Sequence, residues 1–259
     1  MLKVEIVRVD VLAKKVRRMT DYVAEEKPLH IFLNKIHYAT IFCSPSNLKE
    51  LTVGHLLSEG TIKSVEEIEE ISFKRKDICH VELKPNIDLE KRLKLSKSFS
   101  RVLLSACSSS SPYQLSVKLP KIKSNFIVKA EIVLNCVNRL NSIAETFRKT
   151  GGVHAAAIYK SDGNLVAFAE DVGRYNAVDK VIGMGALNKT DFSECFLALS
   201  GRLTSDIVLK AARVNLPIVA SLAAAIDSGI AIAENVGLTL IGFARGKHMN
   251  IYTFPERVL

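Results

Sequence analysis

The stretch C-F-L-A-L-S-G-R-L-T-S-D-I-V-L-K-A-A-R-V-N-L-P-I-V-A-S-L, Cys195–Leu222, decides the fold class. Its first six residues form a short apolar run of the buried-strand kind. Gly201 turns the chain, and L-T-S-D-I-V-L-K-A-A-R-V then has the spacing of a helix. A proline follows, and P-I-V-A-S-L reads as a second buried strand. Strand, helix and strand in this order predict a parallel crossover.

The pattern extends in both directions. Downstream, A-I-D-S-G-I-A-I-A-E-N-V is helical, and L-T-L-I-G-F-A-R and M-N-I-Y-T close the chain as strands. Upstream, V-H-A-A-A-I-Y-K and N-L-V-A-F-A-E-D-V flank the turn S-D-G-N, a strong hairpin signal. N-A-V-D-K-V-I-G-M-G-A-L follows as a helix. Before the hairpin, I-V-L-N-C-V-N-R-L-N-S-I-A-E-T-F is an amphipathic helix ending at Thr150-Gly151-Gly152. Residues 126–259 therefore read as an α/β layer on a mixed, largely parallel sheet.

Residues 1–125 differ in character. V-E-I-V-R-V, L-H-I-F-L-N and K-I-H-Y-A-T-I-F-C are strand-like. One helix stands out, L-K-E-L-T-V-G-H-L-L-S-E-G, with Asn47 as expected N-cap, Glu50 three residues on, and Gly60 as its stop. His55 lies among leucines and reads as a satisfied core histidine. Residues 62–95 suggest short strands with charged turns. This part is β-rich α+β.

The chain has 259 residues, 48% of them hydrophobic, and a formal net charge of +9. That composition argues against disorder. Residues 1–125 hold 22 Lys/Arg against 15 Asp/Glu, and residues 126–259 hold 14 against 12. The basic excess in the first part suits an anionic ligand or partner. The chain has no Trp, and no basic stripe interleaves with aromatics, which argues against nucleic acid. No apolar run is long enough for a membrane helix, and the charged, alternating N-terminus is unlike a signal peptide. Five scattered cysteines without a C-x-x-C pair fit neither a disulfide framework nor a cysteine-held metal. These features lead us to expect a cytoplasmic protein with no permanently bound metal.

Three strand ends each carry glycine and arginine. The first, E-D-V-G-R-Y-N-A-V-D-K (170–180), holds Gly173 and Arg174 among many charges. The second, S-G-R-L-T-S-D (200–206), holds Gly201 and Arg202, with Thr204 or Ser205 free to cap a helix. The third, G-F-A-R-G-K-H (242–248), holds Phe243, Ala244, Arg245, Gly246, Lys247 and His248. Strand ends are where open α/β sheets bind ligands, and helix N-termini beside arginine attract anions. Together they suggest one anionic ligand across the sheet edge, held without a P-loop or a Rossmann fingerprint. His154 follows Gly151-Gly152 at a strand start, as a ligand contact or a buried core histidine. In S-A-C-S-S-S-S-P-Y (105–113), Cys107 sits in a small polar loop near Arg101. An exposed thiol in a basic surrounding can be reactive. The residues alone leave open whether it is.

The segments G-G-V-H-A-A-A, E-D-V-G-R-Y-N-A-V-D-K-V-I-G, S-G-R-L-T-S-D-I-V-L-K-A-A-R, P-I-V-A-S and L-I-G-F-A-R-G-K-H-M-N-I-Y-T resemble, in order, the formate dehydrogenase accessory sulfurtransferases. G-H-L-L-S-E-G and the S-A-C loop match more loosely. The resemblance implies a cytidine-deaminase-like α/β fold with an N-terminal β-rich part, often as a homodimer. It implies a sulfur carrier that takes persulfide sulfur from a cysteine desulfurase onto Cys107. The sulfur then passes to the molybdenum (or tungsten) bis-pterin guanine dinucleotide cofactor of formate dehydrogenase, bound as substrate. Phe243 to His248 match the segment that holds the guanine dinucleotide. The family loop has a second cysteine three residues after the first, where this chain has Ser110. A single thiol can carry a persulfide but cannot resolve it into an internal disulfide, so a one-cysteine relay is expected. Ser110 also keeps open a cofactor-binding chaperone without sulfur chemistry. Zinc deamination is not expected, because His154 is followed by two alanines and P-C-x-x-C is missing.

Overall fold

The computed structural model describes residues 1–90, 92 and 119–259. Cys107, Arg101 and Ser110 lie outside the described residues. Strands β1 (Leu2–Asp10) and β2 (Lys15–Val23) form an antiparallel ribbon. A four-stranded sheet follows, built from β3 (Lys27–Leu33), β4 (Ile36–Cys43), β5 (Ile68–Arg75) and β6 (Ile78–Leu83) in the order β4-β3-β6-β5. β3 and β6 run parallel, and the other two pairings are antiparallel.

Helix α1 (Leu48–Ser58) joins β4 to the rest. Asn47 occupies the N-cap position, but its backbone is left-handed (φ 54°) and its side chain makes no cap bond. The expected capping box is therefore not formed. The stop is as expected. Gly60 at φ 72° lets its own N–H reach Leu57 O (2.9 Å) and Thr61 N–H reach Leu56 O (2.9 Å), closing the helix with a Schellman pair.

The second part contains α2 (Ala130–Ile143), α3 (Glu145–Thr150), β7 (His154–Lys160), β8 (Leu165–Asp171) and α4 (Arg174–Leu187). Next come β9 (Cys195–Leu199), α5 (Ser205–Arg213), β10 (Ile218–Ser221), α6 (Asp227–Val236), β11 (Thr239–Arg245) and β12 (His248–Thr253). The single amphipathic helix expected before Gly151 is interrupted at Ala144, whose ψ of 86° leaves the helical region. Below the break, Glu170 accepts the N–H groups of Thr146 and Phe147 and starts α3 afresh.

The six strands β7–β12 form one mixed sheet in the order β12-β11-β10-β9-β7-β8. Its parallel part is β9, β10 and β11, made by the two crossovers through α5 and α6. The β7–β8 hairpin and β12 add antiparallel flanks.

Strand periodicity divides the core in two. Leu197 and Leu199 of β9 face a cluster shared by α1, α4, α5, α6 and the inner faces of β3 and β6. Phe196 and Ala198 face the opposite cluster under α2. At the centre of the first cluster α1 crosses α4 at Gly54 and Gly183. A Cβ at Gly183 would lie 1.9 Å from Glu50 O, and one at Gly54 would lie 1.7 Å from Asp179 O. The two backbones touch there, and only glycine permits it.

Candidate functional site

The C-terminal ends of β8, β9, β10 and β11 and the start of β7 lie on one rim of the six-stranded sheet. All three Gly-Arg segments are on that rim.

The first group is compact. His154 pairs with Asp171 in the ladder at the mouth of β7, and its Nδ1 lies 3.4 Å from Ser200 Oγ. Ser200 Oγ also accepts the Ala155 N–H at 3.0 Å. Gly201 follows, and its missing side chain matters. A Cβ there would be 3.0 Å from Arg174 Cβ and 3.3 Å from its Cδ. Arg174 thus lies against the backbone of Gly201. Its guanidinium stacks on the Tyr175 ring, 4.2 Å from the centroid, and Nη2 donates to Tyr175 Oη at 2.7 Å. Tyr175 Oη is held 3.2 Å from Thr204 Oγ1. Arg174 Nε is buried and has no hydrogen-bond partner among the described residues. Buried donors are normally paired, so an unpaired one at a strand end marks a place for an acceptor. Burial, then the charges of Arg174 and Arg202, push the His154 imidazole below its ordinary pKa of 6.5. The rim therefore presents a neutral imidazole beside two permanent cations.

The expected side-chain cap of α5 is not made, since Thr204 occupies the N-cap but bonds to Tyr175 instead. Gly173 occupies the N-cap of α4, and its N–H donates to Asp171 Oδ1 at 2.9 Å. The N-termini of α4 and α5 and Arg174 converge on the rim, an arrangement that suits an anion.

The second group is the β11–β12 turn. Phe243 is held at φ 50° and Gly246 at φ 60°. Arg245 covers the Phe243 ring at 5.3 Å. Asn138 of α2 clamps Gly246 from both sides, donating to its carbonyl (3.0 Å) and accepting its N–H (3.1 Å). Arg245, Gly246, Lys247 and His248 are exposed, while the Ala244 side chain is buried in the core under α2. Hydrogen bonds join the two groups across the strand ends. Ser221 Oγ donates to Gly201 O (2.6 Å) and accepts Ala223 N–H (3.0 Å), and Ala223 O accepts Phe243 N–H (2.9 Å).

Most of the charge in residues 170–180 points elsewhere. Asp171 and Lys180 form a 2.7 Å ion pair with both side chains fully buried. Asp171 also accepts from Ser44 N–H, Gly173 N–H and Asn176 Nδ2. Asp179 is buried against Lys210, Ser58 and His55, tying α4 to α5 and α1. Lys210 reaches Glu59 as well, and the flanking cations hold the Glu59 and Asp179 carboxyls below the ordinary range despite burial. The density of charge there is mainly a folding device, and Gly173 and Arg174 are its contribution to the rim. His55 is the satisfied core histidine expected of it. Ser200, Tyr175, Ser221 and Asn138 are site residues that the sequence does not point to. Serine and tyrosine beside the Gly-Arg pairs gave a faint signal, and Asn138, in the middle of a helix, gave none.

Comparison with known proteins adds a family to this geometry. Residues 24–259 match the model of the FdhD/NarQ family. The sulfur carrier protein FdhD of Sulfolobus acidocaldarius is 38% identical over 239 residues, covering 92% of this chain and 91% of its own. That of Staphylococcus aureus is 34% identical over 250 residues, covering 95% and 92%. The crystal structure of a putative formate dehydrogenase accessory protein from Desulfotalea psychrophila superposes with a TM-score of 0.80. It is 26% identical and covers 100% of this chain and 99% of its own.

Proposed function

The chain belongs to the FdhD/NarQ family, and on that premise we propose that it is a sulfur carrier serving formate dehydrogenase. Cys107 is the carrier thiol in this reading. Its thiolate attacks the outer sulfur of a cysteine desulfurase persulfide. A new S–S bond forms at Cys107, the donor's S–S bond breaks, and the donor cysteine leaves as a thiolate. The sulfur is then handed to a molybdenum (or tungsten) bis-pterin guanine dinucleotide, which is bound as substrate.

The observation that supports a place for that substrate is the rim. Arg174, with its unpaired Nε, lies against Gly201, and Arg202 is near enough to act on His154, beside the N-termini of α4 and α5. Diphosphate oxygens suit those donors. The turn from Phe243 to His248 offers cations and an aromatic face at the same rim, two strands away, suited to a guanine. A neutral His154 can accept a hydrogen bond without adding a third cation to the rim.

Ser110 favours a second reading, a chaperone that holds the cofactor without sulfur transfer. Intact-mass measurement after incubation with a cysteine desulfurase and cysteine separates the two. Carrier chemistry requires a gain of one sulfur that disappears in Cys107→Ser. No gain, with guanine nucleotide still bound, leaves the chaperone. A further test is Arg174→Ala, expected to weaken guanosine diphosphate binding roughly 10–100-fold, as loss of a charge-assisted contact does.

A further inference from the structure

We infer that the apex of the β1–β2 ribbon is a peripheral membrane contact that takes anionic lipid headgroups. The ribbon stands clear of the body. Only Val4, Ile6, Met19 and Asp21 of its two strands are half-buried, all near its base, and every residue from Val7 to Arg18 is exposed. At about 3.4 Å per residue, the distal part reaches roughly 15 Å beyond the Ile6–Met19 pair. The family match begins at residue 24, just after the ribbon, so this contact lies outside the matched residues.

The apex is apolar. Val11 is 80% exposed and Leu12 96%, and the exposed pair Val9–Val16 stands directly behind them. None of the four belongs to either core cluster, so their side chains contribute nothing to the interior. The turn has a fixed shape. Asp10 Oδ1 accepts the Ala13 N–H at 2.8 Å, and Lys14 sits at φ 51°. Behind the apex come Lys14, Lys15, Arg17 and Arg18, with no Asp or Glu between Val11 and Thr20. None of these four cations has an ion-pair partner among the described residues. Arg8 and Arg17 stand directly opposite each other in the ladder, and only Arg8 has an acid, Asp21 at 3.5 Å. Like charges placed opposite are unfavourable until an anion joins them.

The order of these groups along the ribbon selects the occupant. Apolar side chains form the convex tip, and unpaired cations form a collar just behind it. A flat acidic protein surface meets the tip or the collar, and leaves the other in water. A lipid interface takes both. Val11 and Leu12 enter the boundary between headgroups and acyl chains, and the same depth brings Lys14, Lys15, Arg17 and Arg18 to the phosphates. Each cation near an anionic bilayer strengthens binding by about fivefold. Two aliphatic side chains and four cations make a reversible contact that salt weakens.

Co-sedimentation with lipid vesicles tests this on the full chain. Wild-type protein should bind vesicles of phosphatidylcholine and phosphatidylglycerol in equal parts at low salt, and should not bind pure phosphatidylcholine. Lys14→Glu/Lys15→Glu should weaken binding about 25-fold or more, since two attractions are lost. Leu12→Ser should weaken it about 10-fold, through loss of a buried aliphatic group. All these positions are exposed, so the variants should keep the urea midpoint of the wild type. The chain has no tryptophan, so Leu12→Trp places a single reporter at the apex. Its emission should be that of a water-exposed indole in solution and shift to the blue with the mixed vesicles. No binding to the mixed vesicles would overturn the inference. So would binding that Leu12→Ser leaves unchanged, which is generic charge attraction, or a Trp emission that the vesicles do not shift. Emission already blue-shifted without lipid, in proportion to protein concentration, would assign the apex to a second copy of the chain instead.

Discussion

Replacing Gly183 by alanine sets two effects of opposite sign against each other. Inside an exposed helix the change favours folding by about 1 kcal/mol, because glycine is a poor helix former. At Gly183 the added methyl would lie 1.9 Å from Glu50 O and 2.9 Å from Gly54 N. Ordinary contact distances require α1 and α4 to move apart by roughly 1.5 Å. Overpacking of this kind costs about 1–3 kcal/mol, occasionally more. The same separation stretches the bonds of Asp179 to Ser58 (2.6 Å) and His55 (3.0 Å), which span the two helices. Hydrogen bonds to buried charges contribute about 1.5–3 kcal/mol each. The net expectation is a loss of about 3 kcal/mol or more. Urea unfolding reads it as a lower midpoint with an unchanged slope. Gly54→Ala should cost a similar amount, and the double variant less than the sum, because one displacement of α1 accommodates both methyls. Guanine nucleotide binding should weaken too, since α4 carries Arg174. Stabilisation of either single variant by about 1 kcal/mol would refute the backbone contact.

Two further perturbations probe the charged groups. Lys180→Met leaves Asp171 buried without its cation, which ordinarily costs about 3–5 kcal/mol. The low end is expected, because Ser44, Gly173 and Asn176 still donate to Asp171, and adding Asp171→Asn should recover part of the loss in urea unfolding. For His154, an NMR titration should place the imidazole pKa below 6.5, and Arg174→Ala should raise it. The folded state resists protonating this group, so the unfolded chain takes up the proton first as pH falls. His154 therefore supports stability fully above about pH 6.5 and progressively less below it, towards its folded pKa.

The sequence by itself determined the succession of elements from His154 to Thr253. Each strand there is a short apolar run and each helix is bounded by glycine, proline or a polar turn. Such local signals depend on neighbours within a few residues. It also pointed to the rim, because β9 and β11 run parallel and so end on one side, and the β7–β8 hairpin beside β9 brings Gly173 and Arg174 to that same side. The tertiary structure alone decided which polar groups face that rim. The partners of Asp171 and Asp179 include Ser44, Ser58 and Lys210, contributed by other elements distant in sequence. Spacing within residues 170–180 carries no trace of them. The same holds for the Gly54–Gly183 contact, where each glycine looks like an ordinary helix interruption until the second helix arrives. Asn47 shows the limit from the other side. Its residue type and its spacing to Glu50 favour a capping box, yet its backbone turned left-handed while the neighbouring Ser44 was taken up by Asp171. Local propensities amount to about 1 kcal/mol each, and the close packing at the α1–α4 crossing outweighs them.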